Sequence, residues 1–153
     1  MSDSVDDPRE IVVEEEFPNR AETIWAALTT GPLIARWLGM TPEGFAPAPG
    51  THFTYRTTPA GAWDGTIRCK VLDAVPNERL VYSWRSGHPG NVGYGAPLDT
   101  VVTITLTPTA AGTRVRVVHS GFSLPRNATA YASMSKGWEG CARNLHGIAD
   151  DLE

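Results

Sequence analysis

Lysine, cysteine and long apolar runs are all scarce in this sequence. Lysine occurs only at Lys70 and Lys136, and 17 acidic residues outnumber 13 basic ones, so the formal net charge is −4. A surface for nucleic acid needs an excess of positive charge, so we expect no nucleic-acid partner. No apolar run approaches the ~20 residues that cross a bilayer as a helix, so we expect no membrane span.

The first residues and the two cysteines indicate a reducing compartment. Residues 1–8 are acidic and polar, without the basic and apolar regions of a secretory signal, which predicts a cytoplasmic protein with a disordered tail. Cys69 and Cys141 lie in different predicted elements and are expected to stay reduced. Neither the cysteines nor the four histidines show the spacing of metal ligands, so no metal site and no cofactor are predicted.

What the sequence does contain is a long series of alternating segments. Alternation of apolar and polar residues predicts strands at residues 9–17, 51–57, 65–74, 79–85, 100–107 and 113–120. Asn19 is predicted to cap a first helix, and Gly31-Pro32 to end it and open a second short helix over residues 33–38. Strands and helices are segregated along the chain, so we predict an α+β fold in a single domain over residues 9–153.

The last predicted element is a long amphipathic helix. Its apolar residues are spaced three and four apart, as on one face of a helix: Tyr131, Met134, Trp138, Cys141, Leu145, Ile148 and Leu152. The strand before it is expected to end in a small-residue turn at Ser120-Gly121. A helix of this length needs a broad surface, and a sheet that curls around it leaves a pocket between the two.

Several short segments, taken in order, carry a resemblance to a known family. They are Ile24-Trp25-Ala26-Ala27-Leu28-Thr29, Trp37-Leu38, Pro49-Gly50, Gly65, Pro76, Arg79-Leu80, Trp84, Gly112-Thr113, His119-Ser120-Gly121-Phe122 and Gly137-Trp138-Glu139. Together they resemble the Activator of Hsp90 ATPase homologue family, within the START/polyketide-cyclase/birch-pollen-allergen superfamily, from about residue 10 to the C-terminus. Two features depart from the family pattern: Thr51 follows Pro49-Gly50 where relatives often have Gly, and residues 86–97 form a long Gly- and Pro-rich insertion.

The resemblance implies a helix-grip fold, in which a curved antiparallel sheet wraps around the long C-terminal helix and two short helices close one end. It also implies a cavity between sheet and helix that binds a hydrophobic small molecule or lipid, most simply without catalysis. Two alternatives remain open at this point: a co-chaperone that activates a heat-shock ATPase, and a cyclase- or hydrolase-like enzyme that uses the same cavity. A monomer and a homodimer are both compatible with the sequence.

The candidate ligand-binding residues are the aromatic and polar side chains expected to face the cavity. They are Trp25, Trp37, Tyr55, Tyr82, Trp84, His119, Phe122, Met134 and Trp138. His119 shares the parity of Val115 and Val117 and so points inward, where it could orient a ligand or act as a base. The alternative for His119 is a structural histidine at a strand end, and for the other eight it is plain core packing. No catalytic residue is assigned, because no Ser, Cys or carboxylate is placed as a partner of His119.

The insertion at residues 86–97 has two interpretations. It is either a flexible hairpin loop or a lid over the cavity, in which case Tyr94 is its natural anchor.

Overall fold

The computed structural model describes residues 7–153, which form six strands and three helices. The strands are β1 (Asp7–Phe17), β2 (His52–Arg56), β3 (Thr66–Val75), β4 (Arg79–Ser86), β5 (Leu98–Pro108) and β6 (Thr113–Leu124). The helices are α1 (Ala21–Thr29), α2 (Gly31–Leu38) and α3 (Ala128–Leu152). Of the predicted tail at residues 1–8, Asp7 and Pro8 belong to β1, and the rest lies outside the described residues.

The strands form one antiparallel sheet in the order β1-β6-β5-β4-β3-β2. From β2 to β6 each strand pairs with its neighbour in the chain, whereas β1 pairs with the last strand, for example Glu14 opposite Arg116. The segment that contains α1 and α2 therefore crosses from one edge of the sheet to the other. The two short helices on this segment pack against each other and against α3, and α1 also contacts β5.

The core lies between the concave face of the sheet and α3. The strands alternate largely as the sequence predicts, and β4 and β5 do so over most of their length, so that their alternate side chains are buried. The alternation of β3 ends at a bulge between Val71 and Asp73. α3 packs against α2, β1, α1 and β6, and its buried residues include Trp138, Leu145 and Ile148. The α+β class and the helix-grip architecture are thus confirmed. No helix within residues 7–153 is long and apolar enough to cross a bilayer.

Asn19 does not cap α1, contrary to the sequence prediction. Arg20 occupies the cap position and its side chain makes no capping hydrogen bond. Asn19 is buried instead, where its Nδ2 donates to Asp150 Oδ1 at 3.3 Å and its backbone oxygen accepts from Thr113 Oγ1 at 2.8 Å. The ends of β1 and α3 converge at this point, so tertiary partners replace the local cap.

The predicted turn at Ser120-Gly121 is also wrong, because β6 continues through it to Leu124. Arg9 lies opposite Phe122 while the next residue, Glu10, lies opposite Ser120, so Gly121 is an extra residue in β6 and forms a β-bulge. Its φ is +105°, and a Cβ there would lie 3.0 Å from the backbone oxygen of Asp99. Glycine suits this position because it tolerates both the backbone angle and the close contact.

The predicted stripe of α3 holds in its middle but not at its end. Leu152 is 45% exposed and contributes little to the core, whereas Ala149, one turn earlier, is fully buried. The end of α3 contacts the start of α1 instead, through Thr23 Oγ1, which donates to Glu153 Oε2.

Candidate functional site

A groove opens on the side of the sheet that α3 leaves uncovered. Since α3 packs against β1 and β6, the concave surfaces of β3 and β4 face it across a gap. This gap, here called the outer groove, has a volume of about 400 Å³. Its aromatic wall residues are Trp63, Trp84, Tyr94 and Trp138, and its aliphatic ones are Leu38, Met40, Ile67 and Met134.

The polar residues of the outer groove are few and uncharged. They are Thr57, Ser133 and Cys141, with Gly39 and Gly137 contributing backbone. Burial raises the pKa of the Cys141 thiol to about 11, so the thiol is protonated at neutral pH. The wall of the groove therefore presents apolar surface together with hydroxyl and thiol groups to a ligand. It contains no ionised side chain.

A second, smaller space lies deeper in the core, on the other side of Trp138. This inner void has a volume of about 20 Å³, enough for about one water molecule. Its walls are almost entirely apolar and include Phe17, Leu28, Trp37, Ile104 and Leu145. The one carboxylate beside it is Glu15, whose Oε1 lies 3.1 Å from His146 Nε2. Trp138 and Cys141 belong to both walls, so they separate the inner void from the outer groove.

His119 is fully buried and both of its ring nitrogens have partners within the protein. Trp138 Nε1 donates to His119 Nδ1 at 3.0 Å, and His119 Nε2 lies 2.7 Å from Thr100 Oγ1. Because Nδ1 accepts, the proton of the neutral ring is on Nε2 and is donated to Thr100. Thr100 in turn donates to the backbone oxygen of Trp84 at 2.9 Å. His119 is thus the centre of a closed internal network.

Burial lowers the pKa of His119 to about 3. The ring is therefore neutral at physiological pH and offers neither a free lone pair nor a free proton. His119 also lines neither the outer groove nor the inner void. The geometry matches the structural interpretation of this histidine and gives no support to its use as a base or a ligand anchor.

The other predicted site residues divide into two groups. Trp84, Met134 and Trp138 line the outer groove, as expected of a binding wall. The remaining five lie outside the outer groove: Trp25, Trp37, Tyr55, Tyr82 and Phe122. Among them, Trp37 lines the inner void.

Those five side chains serve the core. Phe122 packs edge-on against His119, with ring centroids 4.8 Å apart, and Trp37 donates through Nε1 to the backbone oxygen of Ala27 at 2.9 Å. Burial raises the pKa of both Tyr55 and Tyr82 well above the usual value for tyrosine, so these hydroxyls stay protonated. Trp25 is half-buried on α1 and packs against the rim of the core.

Sequence reasoning missed Trp63, Met40, Leu38 and Ile67 as groove residues. Trp63 lies in the loop between β2 and β3, where no periodicity exists to predict its direction. Its Nε1 donates to the backbone oxygen of Thr66 at 2.9 Å, which turns the ring toward the groove. The signal available was compositional only: a tryptophan among Gly, Ala and Pro in a surface loop.

Two loops meet at the mouth of the outer groove. Asn91, in the insertion, donates through Nδ2 to the backbone oxygen of Ala60 at 2.6 Å and accepts through Oδ1 from the backbone N–H of Ala62 at 3.0 Å. Tyr94 donates to the backbone oxygen of Thr58 at 2.7 Å, and its ring centroid lies 5.8 Å from that of Trp63. These contacts, here called the loop clasp, join residues 57–65 to the predicted lid.

Glycines make the loop clasp possible. A Cβ on Gly61 would lie 2.7 Å from Asn91 Oδ1, and a Cβ on Gly95 would lie 2.4 Å from Asn91 Nδ2. Both positions also have positive φ, which glycine adopts without strain. The Gly-rich composition of the insertion therefore reflects close packing of two loops.

The sequence of this chain matches a known protein family. The sequence profile of a family described as Activator of Hsp90 ATPase homolog 1-like protein matches residues 19–150. The chain belongs to this family. The resemblance found in the sequence is thereby confirmed, and the matched range includes both short helices, β2 to β6 and nearly all of α3. A comparison with curated proteins finds no significant match.

Solved structures of this fold come from several bacteria. Protein MLL2253 from Mesorhizobium loti is 36% identical, with a TM-score of 0.81 over 95% of this chain and 99% of that one. BH1534 from Bacillus halodurans is 23% identical, with a TM-score of 0.68 over 92% and 96%. DynU16, described as a putative protein in the dynemicin biosynthetic locus, is 20% identical with a TM-score of 0.68, and this chain spans 47% of its length. The last two likenesses concern the fold alone.

Proposed function

We propose that this protein binds a hydrophobic small molecule in the outer groove, without catalysing a reaction on it. The observation that carries the proposal is an open groove of about 400 Å³ with four aromatic and four aliphatic wall residues and no ionised side chain. Apolar pockets of this size are typical small-molecule sites. Members of this fold commonly bind hydrophobic ligands, which supports the same assignment.

Apolar burial would supply most of the affinity. Each Å² of apolar surface removed from water contributes about 25 cal/mol, and a ligand between Trp84 and Trp138 is covered on both faces. The non-catalytic assignment rests on the site chemistry. His119 is committed to Trp138 and Thr100, and the Cys141 thiol is protonated. Neither is poised for acid–base or nucleophilic work.

We further propose that residues 86–97 act as a lid over the bound molecule. Tyr94 supplies both a wall of the groove and a link of the loop clasp, so movement of the insertion opens one side of the groove. Ligand entry and release would then depend on the clasp.

The decisive experiment blocks the groove from the helix side. Gly137 lines the groove, and a Cβ at this position would meet no atom within 4 Å, so a side chain there extends into open space. We expect Gly137→Leu to lower the affinity for diphenylhexatriene, an uncharged hydrocarbon that fluoresces on leaving water, by at least about tenfold. Fluorescence titration measures the effect.

A matched control is present on the same helix. Gly147 is also exposed with open space at its Cβ, but it lies away from the outer groove, so Gly147→Leu makes the same change in helix propensity and surface apolarity. It should leave probe affinity unchanged. If the two variants bind the probe equally well, the outer groove is not the binding site. Native mass spectrometry of the purified wild-type protein would then identify any molecule that co-purifies.

A further inference from the structure

We propose that the outer groove selects uncharged ligands that carry a hydrogen-bond-accepting oxygen, and that the Trp84 indole N–H is the donor that holds this oxygen. This inference rests on the function proposed above and adds the chemical class of the ligand and its point of attachment. Three features of the groove support it: its lack of charged side chains, the state of its tryptophans and the flexible methionine side chains in its wall.

The absence of charged side chains from the groove wall disfavours a ligand with an ionised head group. None of the groove residues is Lys, Arg, His, Asp or Glu. A carboxylate drawn in among Trp84, Trp138 and Met134 would lose its hydration without gaining a cation, which is strongly unfavourable. A fatty-acid head group or another anionic group is therefore a poor occupant. A ketone, ester, amide or ether oxygen costs far less to desolvate than a carboxylate, and a hydrogen bond within the groove offsets that cost.

The tryptophans of the groove differ in one respect. Trp63 Nε1 donates to the backbone oxygen of Thr66, and Trp138 Nε1 donates to His119. Trp84 is 4% exposed, and its Nε1 has no hydrogen-bond partner among the described residues. A buried N–H without an acceptor is costly, so an oxygen that reaches it gains a bond that competes with no other partner. Trp84 is thus the one groove tryptophan with a donor to offer.

The Trp84 Nε1 is itself buried, so an oxygen reaches it only when neighbouring side chains of the groove move aside. The ring of Trp84 is fixed by contacts with His119 and Tyr55, with centroids 5.3 Å and 5.9 Å away, so the donor is held in one place. On the groove side the wall contains Met40 and Met134, whose unbranched side chains rearrange easily around a guest. Gly137 has no side chain to occupy the opposite side, which leaves room for the body of the ligand along α3.

The test uses three fluorescent naphthalenes of similar size. The first is the uncharged ketone 6-propionyl-2-dimethylaminonaphthalene, the second its analogue with CH₂ in place of the carbonyl, and the third the corresponding naphthalene carboxylate. We expect the wild-type protein to bind the ketone about three- to tenfold more tightly than the carbonyl-free analogue, the range that one net hydrogen bond supplies. The carboxylate should bind at least about tenfold more weakly than the ketone.

The variant Trp84→Phe keeps a flat apolar ring but removes the donor. We expect it to bind ketone and carbonyl-free analogue equally, with the affinity for the analogue close to that of the wild-type protein. An independent readout needs no substitution: in a ¹⁵N-labelled sample the indole proton of Trp84 should shift downfield on addition of the ketone and not of the analogue. The indoles of Trp37, Trp63 and Trp138 already donate within the protein and serve as internal references.

The outcomes separate this inference from the function on which it rests. Suppose that the wild-type protein binds the ketone and the analogue equally well, and that Gly137→Leu abolishes the binding of both. The groove then binds ligands, but the role assigned to Trp84 is wrong. If the carboxylate binds as tightly as the ketone, the exclusion of charge is wrong. If none of the three probes responds to Gly137→Leu, the binding function itself fails.

Discussion

The two sides of Trp138 illustrate opposite ways of using buried polar groups. Inside the core its Nε1 joins His119 and Thr100 in a network that occupies both imidazole nitrogens, and its ring also borders a void of about 20 Å³. On the outer side the same ring faces a groove of about 400 Å³, beside Trp84 with its unpartnered donor. Polar groups that are fully satisfied fix a structure, whereas an unsatisfied one is available to a guest. The difference assigns stability to one region and the proposed binding site to the other.

The strongest test of this contrast removes the side chain that anchors the internal network. Trp138→Ala removes a large buried ring and leaves His119 Nδ1 without a donor, so it should lower the free energy of unfolding by about 3–5 kcal/mol. Urea denaturation followed by circular dichroism measures the loss.

The matched change on the outer side is Met134→Ala, at a partly buried wall position of the outer groove. It should cost only about 1 kcal/mol, because fewer contacts are lost. Equal destabilisation by the two substitutions would contradict the division into a structural and a binding side.

A second test measures how the stability contributed by His119 depends on pH. His119 has a folded-state pKa near 3 and an ordinary value of 6.5, so below pH 6.5 the unfolded chain binds a proton that the folded one does not. The contribution of His119 to stability is complete above pH 6.5 and declines as the pH falls toward 3, by about 1.4 kcal/mol for each pH unit. Denaturation at a series of pH values measures the slope.

Carboxylates also titrate in this range, so the slope needs a reference. His119→Gln retains a donor and an acceptor but has no ionisable ring, and its unfolding free energy should depend on pH less steeply between 6 and 4. Identical slopes for the wild-type protein and the variant would show that His119 does not become charged on unfolding.

The smallest expected effect concerns the outer side and is kinetic. An ideal Cβ on Gly90 lies 3.7 Å from the Cβ of Ala62, within the range that a disulfide spans. The double variant Ala62→Cys/Gly90→Cys should therefore lock the loop clasp when oxidised. We expect association and dissociation of diphenylhexatriene to slow by about tenfold in the oxidised form, because a lid must open for exchange. Stopped-flow fluorescence measures both rates.

The reduced double variant and the two single variants are the controls, and they should exchange the probe at the wild-type rate. If oxidation leaves the rates unchanged, the insertion is a fixed wall and not a lid.

The fold was predictable because its main elements are periodic. Most of the meander alternates clearly, and Leu80, Tyr82 and Trp84 of β4 are all buried. The stripe on α3 likewise identified Trp138 and Leu145 as buried residues. Where the prediction failed, at Asn19 and Gly121, contacts distant in sequence decided the outcome: Asp150 and Thr113 at the first, the backbone of β5 at the second.

The candidate site was harder to predict because parity shows only that a side chain points inward. Tyr82, Trp84 and His119 all do so, yet only Trp84 lines the outer groove. Which of them does so depends on where α3 covers the sheet, a property of tertiary packing that has no periodic signature. Trp63 and Tyr94 were harder still, since irregular loops position both of them.

The bulge at Gly121 affects the curvature of the sheet. One added residue in β6 bends that strand and increases its twist, so the sheet's concavity depends partly on a count of residues and not on their polarity. Deleting Gly121 would leave charge and hydropathy almost unchanged, but it would restore strict alternation between His119 and Phe122 and remove the bulge. The curvature of the sheet is therefore set partly by the number of residues in β6.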